Sequence, residues 1–324
     1  MKIITLTLNP AFDVHCYVKD FAPYHENLAT VTHRDAGGKG VNISKALTAN
    51  GVENLAFVVV GDENGDSFLK CLEANRLSCK VLKVSGRIRE NITIHTNGAD
   101  ETRISFEGFK ATNALLSDVL AALDGKGLNG AFVTFTGRVP SGVDMWAVKQ
   151  FLKELAVKQF LKELADKGAK IIIDSKSFSL DDIIEVRPYL IKPNGEEISE
   201  YLGREIRELS ETKAVAEELN RKGIENVMIS LGAEGALLAT FSTDSAESSV
   251  YVATPPKIDA ISTIGAGDSS IGGFLAAVSE GKSTKDALRL AVSYGTAACL
   301  TQGTSAPKSE DIKEIYSKIK ISIL

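Results

Sequence analysis

Gly265-Ala266-Gly267-Asp268 places a carboxylate between a tight-turning backbone and an apolar run of small residues, Ser269 to Ser279. Upstream, Pro255-Pro256-Lys257-Ile258-Asp259 cannot be helical, because two prolines lock φ and remove donors. Two glycines flanking one alanine let several N–H groups point the same way. At a helix N-terminus those unpaired donors, together with the helix dipole, make an anion site. Asp268 inside that site has two readings. It can cap the helix, or it can take a proton from a hydroxyl while the backbone donors hold a phosphoryl group.

Four other stretches carry residue types suited to the second reading. Asn9-Pro10-Ala11-Phe12-Asp13 is read as the end of the first strand. Ligands of open parallel sheets bind at such strand ends, and a carboxylate accepts sugar hydroxyls; an Asx-type turn is the plain alternative. Asp35-Ala36-Gly37-Gly38-Lys39-Gly40-Val41-Asn42 runs into a helix. Lys39 at a helix start opposes the dipole, so an anionic ligand explains it better than structure does. The spacing is not that of a P-loop. Lys192-Pro193-Asn194-Gly195-Glu196-Glu197 follows a strand. Asn194 and Glu197 share a helix face and suit either hydrated Mg²⁺ or a capping box. Ser230-Leu231-Gly232-Ala233-Glu234-Gly235-Ala236 is a turn between strands that either passes close to a nucleotide or is a plain hairpin. Arg87, Arg89 and Arg103 fall near one mouth, where guanidinium forks suit phosphate.

The elements that must position these residues alternate. Strands are expected at 3–8, 55–60, 131–135, 171–174, 190–192, 227–230 and 236–239. Helices are expected to begin near 40, 65, 113, 145, 196, 212, 268, 284 and 309. This order argues for an α/β fold with a mainly parallel sheet. His15–Lys19, Val31–Arg34, Glu90–Thr96 and Thr102–Phe106 break the alternation. They read as a small sheet over one end of the main one, with Asn97-Gly98-Ala99-Asp100 as a hairpin connection.

Composition excludes several classes. A length of 324 residues and 44% hydrophobic content allow a large core. A net charge of −5 leaves no electrostatic footprint for nucleic acid, and the scattered lysines form no basic membrane-binding face. Cys16, Cys71, Cys79 and Cys299 have no metal-type spacing and read as thiols of a reducing cytosol. No basic segment with a long apolar stretch opens the chain, and no apolar run approaches the ~20 residues of a membrane helix. A cytoplasmic protein is expected.

Val148 to Ala156 is repeated residue for residue as Val157 to Ala165. Nine residues advance a helix by roughly 900°, half a turn out of phase. The expectation is that one copy packs while the other extends the helix or loops out.

Asn-Pro-Ala-x-Asp, Gly-Gly-Lys-Gly-x-Asn, Asn-x-x-Glu, Ser-Leu-Gly-x-x-Gly and Gly-Ala-Gly-Asp, in this order and spacing, resemble the PfkB family of ribokinase-like sugar kinases. The resemblance covers essentially the whole chain except the nine extra residues. Leu8 to Ala11, the arginines and Thr301-Gln302-Gly303-Thr304 are similar to the sugar-phosphate branch. Arg89-Glu90-Asn91 and Phe106-Glu107-Gly108-Phe109 look most like the members that act on fructose 1-phosphate; kinases of tagatose 6-phosphate and fructose 6-phosphate are the near alternatives. The resemblance implies a single ribokinase-like domain, with a mainly parallel sheet flanked by helices and a β-sheet lid from segments about 14–34 and 87–107. It implies Asp268 as catalytic base, with Gly265, Ala266 and Gly267 as the anion hole. Asp13, Gly38, Lys39, Asn42, Arg89 and Arg103 match sugar-phosphate contacts. Lys192 matches a position near the nucleotide phosphates. Asn194 and Glu197 match the Mg²⁺–phosphate motif through water, and Ser230, Gly232 and Gly235 the nucleotide loop. ATP and Mg²⁺ are implied, with K⁺ beside the anion hole in some members and a homodimer through the lid. Three positions depart from the pattern: Arg138 replaces a small hydroxyl in Gly137-Arg138-Val139-Pro140, Ser270 replaces Phe, and Thr301 stands where some relatives carry Asn. A nicotinamide dehydrogenase is excluded because no Gly-x-Gly-x-x-Gly follows the first strand. A non-catalytic sugar-phosphate sensor is the rival from another class, and retention of Asp268 and Lys39 argues against it.

Overall fold

The computed structural model describes residues 2–97, 101–124, 127–152, 169–242 and 247–324. The strands are β1 (Ile3–Thr7), β2 (Ala11–Tyr17), β3 (Thr30–Gly37), β4 (Leu55–Gly61), β5 (Cys79–Val84), β6 (Arg89–His95), β7 (Glu101–Ser105), β8 (Phe132–Thr136), β9 (Lys170–Asp174), β10 (Leu190–Ile191), β11 (Asn226–Ser230), β12 (Ala236–Ser242), β13 (Glu247–Thr254) and β14 (Lys320–Ile323). The helices are α1 (Lys39–Ala49), α2 (Gly65–Ala74), α3 (Ala114–Leu123), α4 (described over 145–152), α5 (Leu180–Val186), α6 (Gly195–Leu202), α7 (Leu209–Arg221), α8 (Ala266–Ser279), α9 (Thr284–Ala298) and α10 (Ser309–Lys318).

Ten strands form one sheet in the order β14-β13-β12-β11-β10-β9-β8-β1-β4-β5, and four form a second in the order β3-β2-β6-β7. From β5 to β11 the large sheet is parallel; β11 to β14 are antiparallel. β1 and β8 are buried along their whole length, as a strand covered on both faces requires. Alternation along each strand sends side chains to two helical layers. Ile171 and Ile173 point to the layer holding α3 to α7, whereas Ile172 points to the layer of α1, α8, α9 and α10. A third cluster, built from Phe12, Val14, Val58, Val60 and Phe68, seats the small sheet on α2 and β4.

The small sheet begins earlier than expected. β2 starts at Ala11, immediately after the turn that ends β1, and it pairs with β3 antiparallel and with β6 in parallel. Asp13 therefore lies on the first strand of the small sheet and not at the end of the first strand of the large one. Four elements go beyond the expected set: β5, α5, β13 and β14. In α4, Val148, Phe151 and Leu152 of the first repeat copy are buried. Residues 153–165, including the second copy, lie outside the described residues, as do positions 98–100 of the expected hairpin connection.

Candidate active site

Five parallel-strand ends meet at one edge of the large sheet. Thr7, Thr136, Asp174 and Ser230 are the last residues of β1, β8, β9 and β11, and Lys192 directly follows β10. β1 has β4 on one side and β8 on the other, so the edge includes the point where strand order reverses and a crevice opens.

The carboxylate of Asp268 is delivered by α8. Gly265 caps that helix with φ 79°, a backbone conformation glycine adopts without penalty. Asp268 sits in the first turn yet makes no capping bond; its Oδ2 accepts a hydrogen bond from Asn42 Nδ2 at 2.9 Å. The capping reading of Asp268 therefore fails. What brings Asn42 there is the approach of α1 to α8 at Gly272, where a Cβ would already lie 3.3 Å from that of Ala46. The first-turn N–H groups of α8 have no intrahelical partners. Lys192 covers them: a Cβ on Gly267 would lie 3.1 Å from Lys192 Nζ.

Asp174 ties these groups together. Its carboxylate lies 3.0 Å from Lys39 Nζ and 3.7 Å from Lys192 Nζ. Burial pushes its pKa up, but Lys192 and Lys39 more than reverse that and hold it below the ordinary carboxylate value. Asp268 is only 7% exposed and has no such pair of contacts. Burial pushes it up to about 6; Asp174 adds to the rise, while Lys39, the Asn42 hydrogen bond and Lys192 oppose it. One carboxylate is thus held ionised and the other poised near neutrality, the separation expected of an electrostatic anchor and a proton acceptor. Asp174 was not among the sequence candidates. The signal was present: a carboxylate closing the apolar strand Ile171-Ile172-Ile173, at the end where ligands bind.

On one side of Asp268 lies a cavity of about 220 Å³. Gly38 and Lys39 line it, as do Arg89 and Asn91 of β6. Gly38 has φ 113°, and a Cβ there would meet Thr7 Cγ2 at 2.8 Å. Asp13 Oδ1 accepts from Asn91 Nδ2 at 2.9 Å, and Asp13 Oδ2 accepts from Thr304 Oγ1 at 3.3 Å. Thr304 also packs against the Gly265 cap, so the small sheet and the N-terminus of α8 share one residue. Arg103 does not line this cavity. It is exposed on β7, where it pairs with Glu101 at 2.8 Å. Arg138 lines it instead.

On the other side lies a cleft of about 700 Å³ bordered by Asn194, Ser230, Gly232 and Thr254. The β11–β12 hairpin forms one wall. Gly235 closes it with φ 98°, and a Cβ there would fall 2.0 Å from Ala253 O. Asn194 and Glu197 form a reciprocal capping box on α6: Asn194 Oδ1 accepts from Glu197 N at 2.8 Å, and Glu197 Oε2 accepts from Asn194 N at 2.9 Å. Glu197 and Asp174 line one small cavity between the two larger ones, and Asp174 Oδ2 is buried without a hydrogen-bond partner. No cluster of three or more metal-ligating side chains occurs among the described residues. Two carboxylates on one cavity, one with an unpartnered buried oxygen, fit Mg²⁺, which keeps its waters and is held through few protein oxygens.

The model of the pfkB family of carbohydrate kinases matches residues 7–311. The chain belongs to that family. It is 31% identical over 303 residues to 1-phosphofructokinase of Escherichia coli strain K12, covering 92% of this chain and 90% of that one. It is 29% identical over 322 residues to 1-phosphofructokinase of Bacillus subtilis strain 168, covering 99% and 100%. Among solved structures it is similar to phosphofructokinase-2 of Escherichia coli in complex with substrates and products, with a TM-score of 0.86, 25% identity and 98% and 99% coverage. The same enzyme in complex with potassium gives a TM-score of 0.84 at 26% identity, with 98% of each chain covered. The ribokinase-like fold and its separate small sheet follow. The protein is a sugar-phosphate kinase, and the family implies ATP and Mg²⁺. No helix among the described residues is long and apolar enough to cross a membrane.

Proposed function

We propose that this kinase phosphorylates fructose 1-phosphate to fructose 1,6-bisphosphate. The observation that carries the reading is Asp268: a buried carboxylate with its pKa pushed up to about 6, in the first turn of a helix capped by Gly265 and hydrogen-bonded to Asn42. Asp13, Gly38, Lys39, Asn42 and Arg89 hold the sugar phosphate, while Lys192, Ser230, Gly232 and Gly235 border the nucleotide. Arg103 meets substrate only if β7 moves.

Phosphoryl transfer asks for positioning and charge stabilisation more than covalent help. The C6 hydroxyl oxygen of the sugar attacks the γ-phosphorus of ATP. Its proton passes to the Asp268 carboxylate, and the bond between the γ-phosphorus and the β–γ bridging oxygen breaks, releasing ADP. The N–H groups of the first turn of α8 and the Lys192 ammonium receive charge on the transferred phosphoryl oxygens. Asn194 and Glu197 would hold Mg²⁺ through water, and there it would supply charge neutralisation of the phosphoryl oxygens. Asn42 fixes the orientation of Asp268, and the small sheet excludes water.

A homodimer through the small sheet is part of the same proposal. Tyr24, Leu28 and Val31 of that sheet and its loop are exposed large hydrophobics, at 104%, 94% and 59%; apolar residues so displayed mark a contact surface. One solved relative is described as the tetrameric inhibited form of phosphofructokinase-2, so sedimentation with and without ATP tests the assembly. K⁺ beside Gly265 is tested by turnover in K⁺ against Na⁺.

The decisive assay is ADP release from Mg·ATP with fructose 1-phosphate, tagatose 6-phosphate, fructose 6-phosphate and fructose. Selective turnover of fructose 1-phosphate supports the proposal. Selective turnover of another sugar reassigns the substrate, and binding without turnover by folded protein makes the chain a sensor.

A further inference from the structure

Ten residues line the 220 Å³ cavity; Lys39, Arg89 and Arg138 are its charged members, and none is an acid. Lys39 is neutralised by Asp174 at 3.0 Å. The two arginines are not. Among the described residues neither forms a salt bridge, and Arg89 Nη1 donates only to the neutral Asn91 Oδ1, at 3.0 Å. Arg89 Nε is buried with no hydrogen-bond partner. Burial, and then the positive charge of Arg138, draw the Arg89 guanidinium below its ordinary value. Asp13 is the carboxylate whose field reaches Arg89, but Asn91 and Thr304 already occupy its oxygens.

Two like charges with no salt-bridge partner of their own, offset only by the field of Asp13, are unfavourable in the free protein. The loop that carries one of them is nevertheless held firmly. Gly137 N donates to Asp174 O at 3.1 Å, Ser175 Oγ donates to Gly137 O at 2.5 Å, and Asn9 Nδ2 donates to Val139 O at 3.2 Å. Arg138 is thus presented from a turn tied to the connection after β1 on one side and to the end of β9 on the other. None of Gly265, Ala266, Gly267 and Asp268 lines this cavity. The pair therefore faces a part of the substrate other than the phosphoryl group in transfer. At neutral pH a phosphomonoester carries between −1.5 and −2 charges, which matches two guanidiniums and no acid.

We propose that Arg138 and Arg89 form a two-guanidinium clamp for the non-reacting phosphate of the substrate, and that Arg138 sets the selectivity for a phosphorylated over an unphosphorylated ketohexose. The clamp rests on the sugar-phosphate reading of this site and is specific to this chain, since Arg138 stands where the family pattern has a small hydroxyl.

The test compares wild type with Arg138→Ser and Arg138→Lys. Arg138 is exposed, so both variants fold, and circular dichroism checks this. Losing a charge-assisted contact raises KM for fructose 1-phosphate by about 10- to 100-fold in Arg138→Ser. Arg138→Lys recovers part of the loss, while KM for ATP and the kcat/KM for unphosphorylated fructose stay within about twofold of wild type. Inorganic phosphate, which competes with the sugar phosphate in wild type, loses affinity in Arg138→Ser by the same factor. Unchanged sugar-phosphate KM and unchanged phosphate affinity in Arg138→Ser overturn the clamp. Calorimetry with inorganic phosphate separates this from the functional proposal. If wild type turns over none of the sugars, that proposal fails, while phosphate binding that Arg138→Ser abolishes still supports the clamp and binding indifferent to Arg138 refutes it.

Discussion

Asp268→Asn should make the enzyme slower and more stable at once. The carboxylate titrates near 6 in the folded protein against 3.8 in an ordinary setting. A difference of about 2 units corresponds to about 3 kcal/mol. The sign follows from the direction of the shift. The folded protein favours the neutral acid, so there is no penalty below pH 4. The penalty grows between about pH 4 and 6 as the buried group ionises, and it is constant above that. Asn is neutral at every pH and can still meet Asn42 through its own oxygen. The variant should therefore match wild type near pH 4 and exceed it by up to about 3 kcal/mol at pH 8. For a chain of this length that is about 4 °C in Tm. Its kcat should fall by about 10²- to 10⁴-fold, the usual worth of a positioned general base, with KM for the sugar phosphate within about threefold. In wild type, kcat/KM should fall tenfold per pH unit below about 6. Thermal melts at pH 4 and pH 8, with coupled ADP release, read all of these. Turnover within threefold of wild type would falsify the base assignment. A variant less stable than wild type at pH 8 would show that the carboxylate is not desolvated as its 7% exposure implies.

Three further outcomes are expected. Lys39→Met leaves Asp174 with Lys192 alone; because the Lys39 side chain is 35% exposed, the loss lies below the full cost of breaking a buried pair, at about 2 kcal/mol. Lys39 also lowers the Asp268 pKa, so the acid limb of the pH–rate profile should move upward, and a downward move contradicts the assignment. Gly235→Ala places a Cβ 2.0 Å from Ala253 O at φ 98° and should cost about 2–3 kcal/mol in urea unfolding, while raising KM for ATP and sparing that for sugar. Asn194→Ala removes the N-cap of α6, costs about 1 kcal/mol, and raises KM for Mg·ATP; an unchanged nucleotide KM would leave Asn194 a cap and nothing more.

Apolar runs bounded by turn residues made most of the large sheet readable in advance. Strands such as Ile3–Thr7 and Phe132–Thr136, buried on both faces, need continuous hydrophobicity. The elements missed lack that signature. Glu247–Thr254 opens with polar residues because only part of it is buried, and Lys320–Ile323 is an edge strand largely open to solvent. Cys79–Val84 is the other edge and is only partly covered, so its pattern of apolar residues and lysines resembles surface chain. The site was legible where glycines, prolines and carboxylates punctuate strand ends, as in the loops reaching Lys39, Asn194 and Asp268. Pairings across long sequence separations were not legible. Nothing local to Asp174 says that two lysines from different helical and strand ends converge on it, and nothing local to Thr304 points to Asp13, 291 residues away.

Every residue lining the 220 Å³ cavity, proposed to hold the sugar phosphate, lies at or before Arg138, whereas the 700 Å³ cleft, proposed to hold the nucleotide, is built from residues 194 to 254, and the proposed base arrives only at 268. The strands β5, β4, β1 and β8, and all four strands of the small sheet, are likewise complete by Thr136. On a ribosome adding 5–20 residues per second, roughly 130 residues separate emergence of the last sugar-cavity residue from emergence of Asp268, a delay of about 6–26 s. On the proposed function, the half that recognises the acceptor is made first, and the half that supplies the donor and the base is made last. A chain cut short anywhere between these points carries every residue that lines the 220 Å³ cavity and lacks Asp268. The hydrogen bond from Asn42 to Asp268, across 226 residues, is where the early half meets the late one.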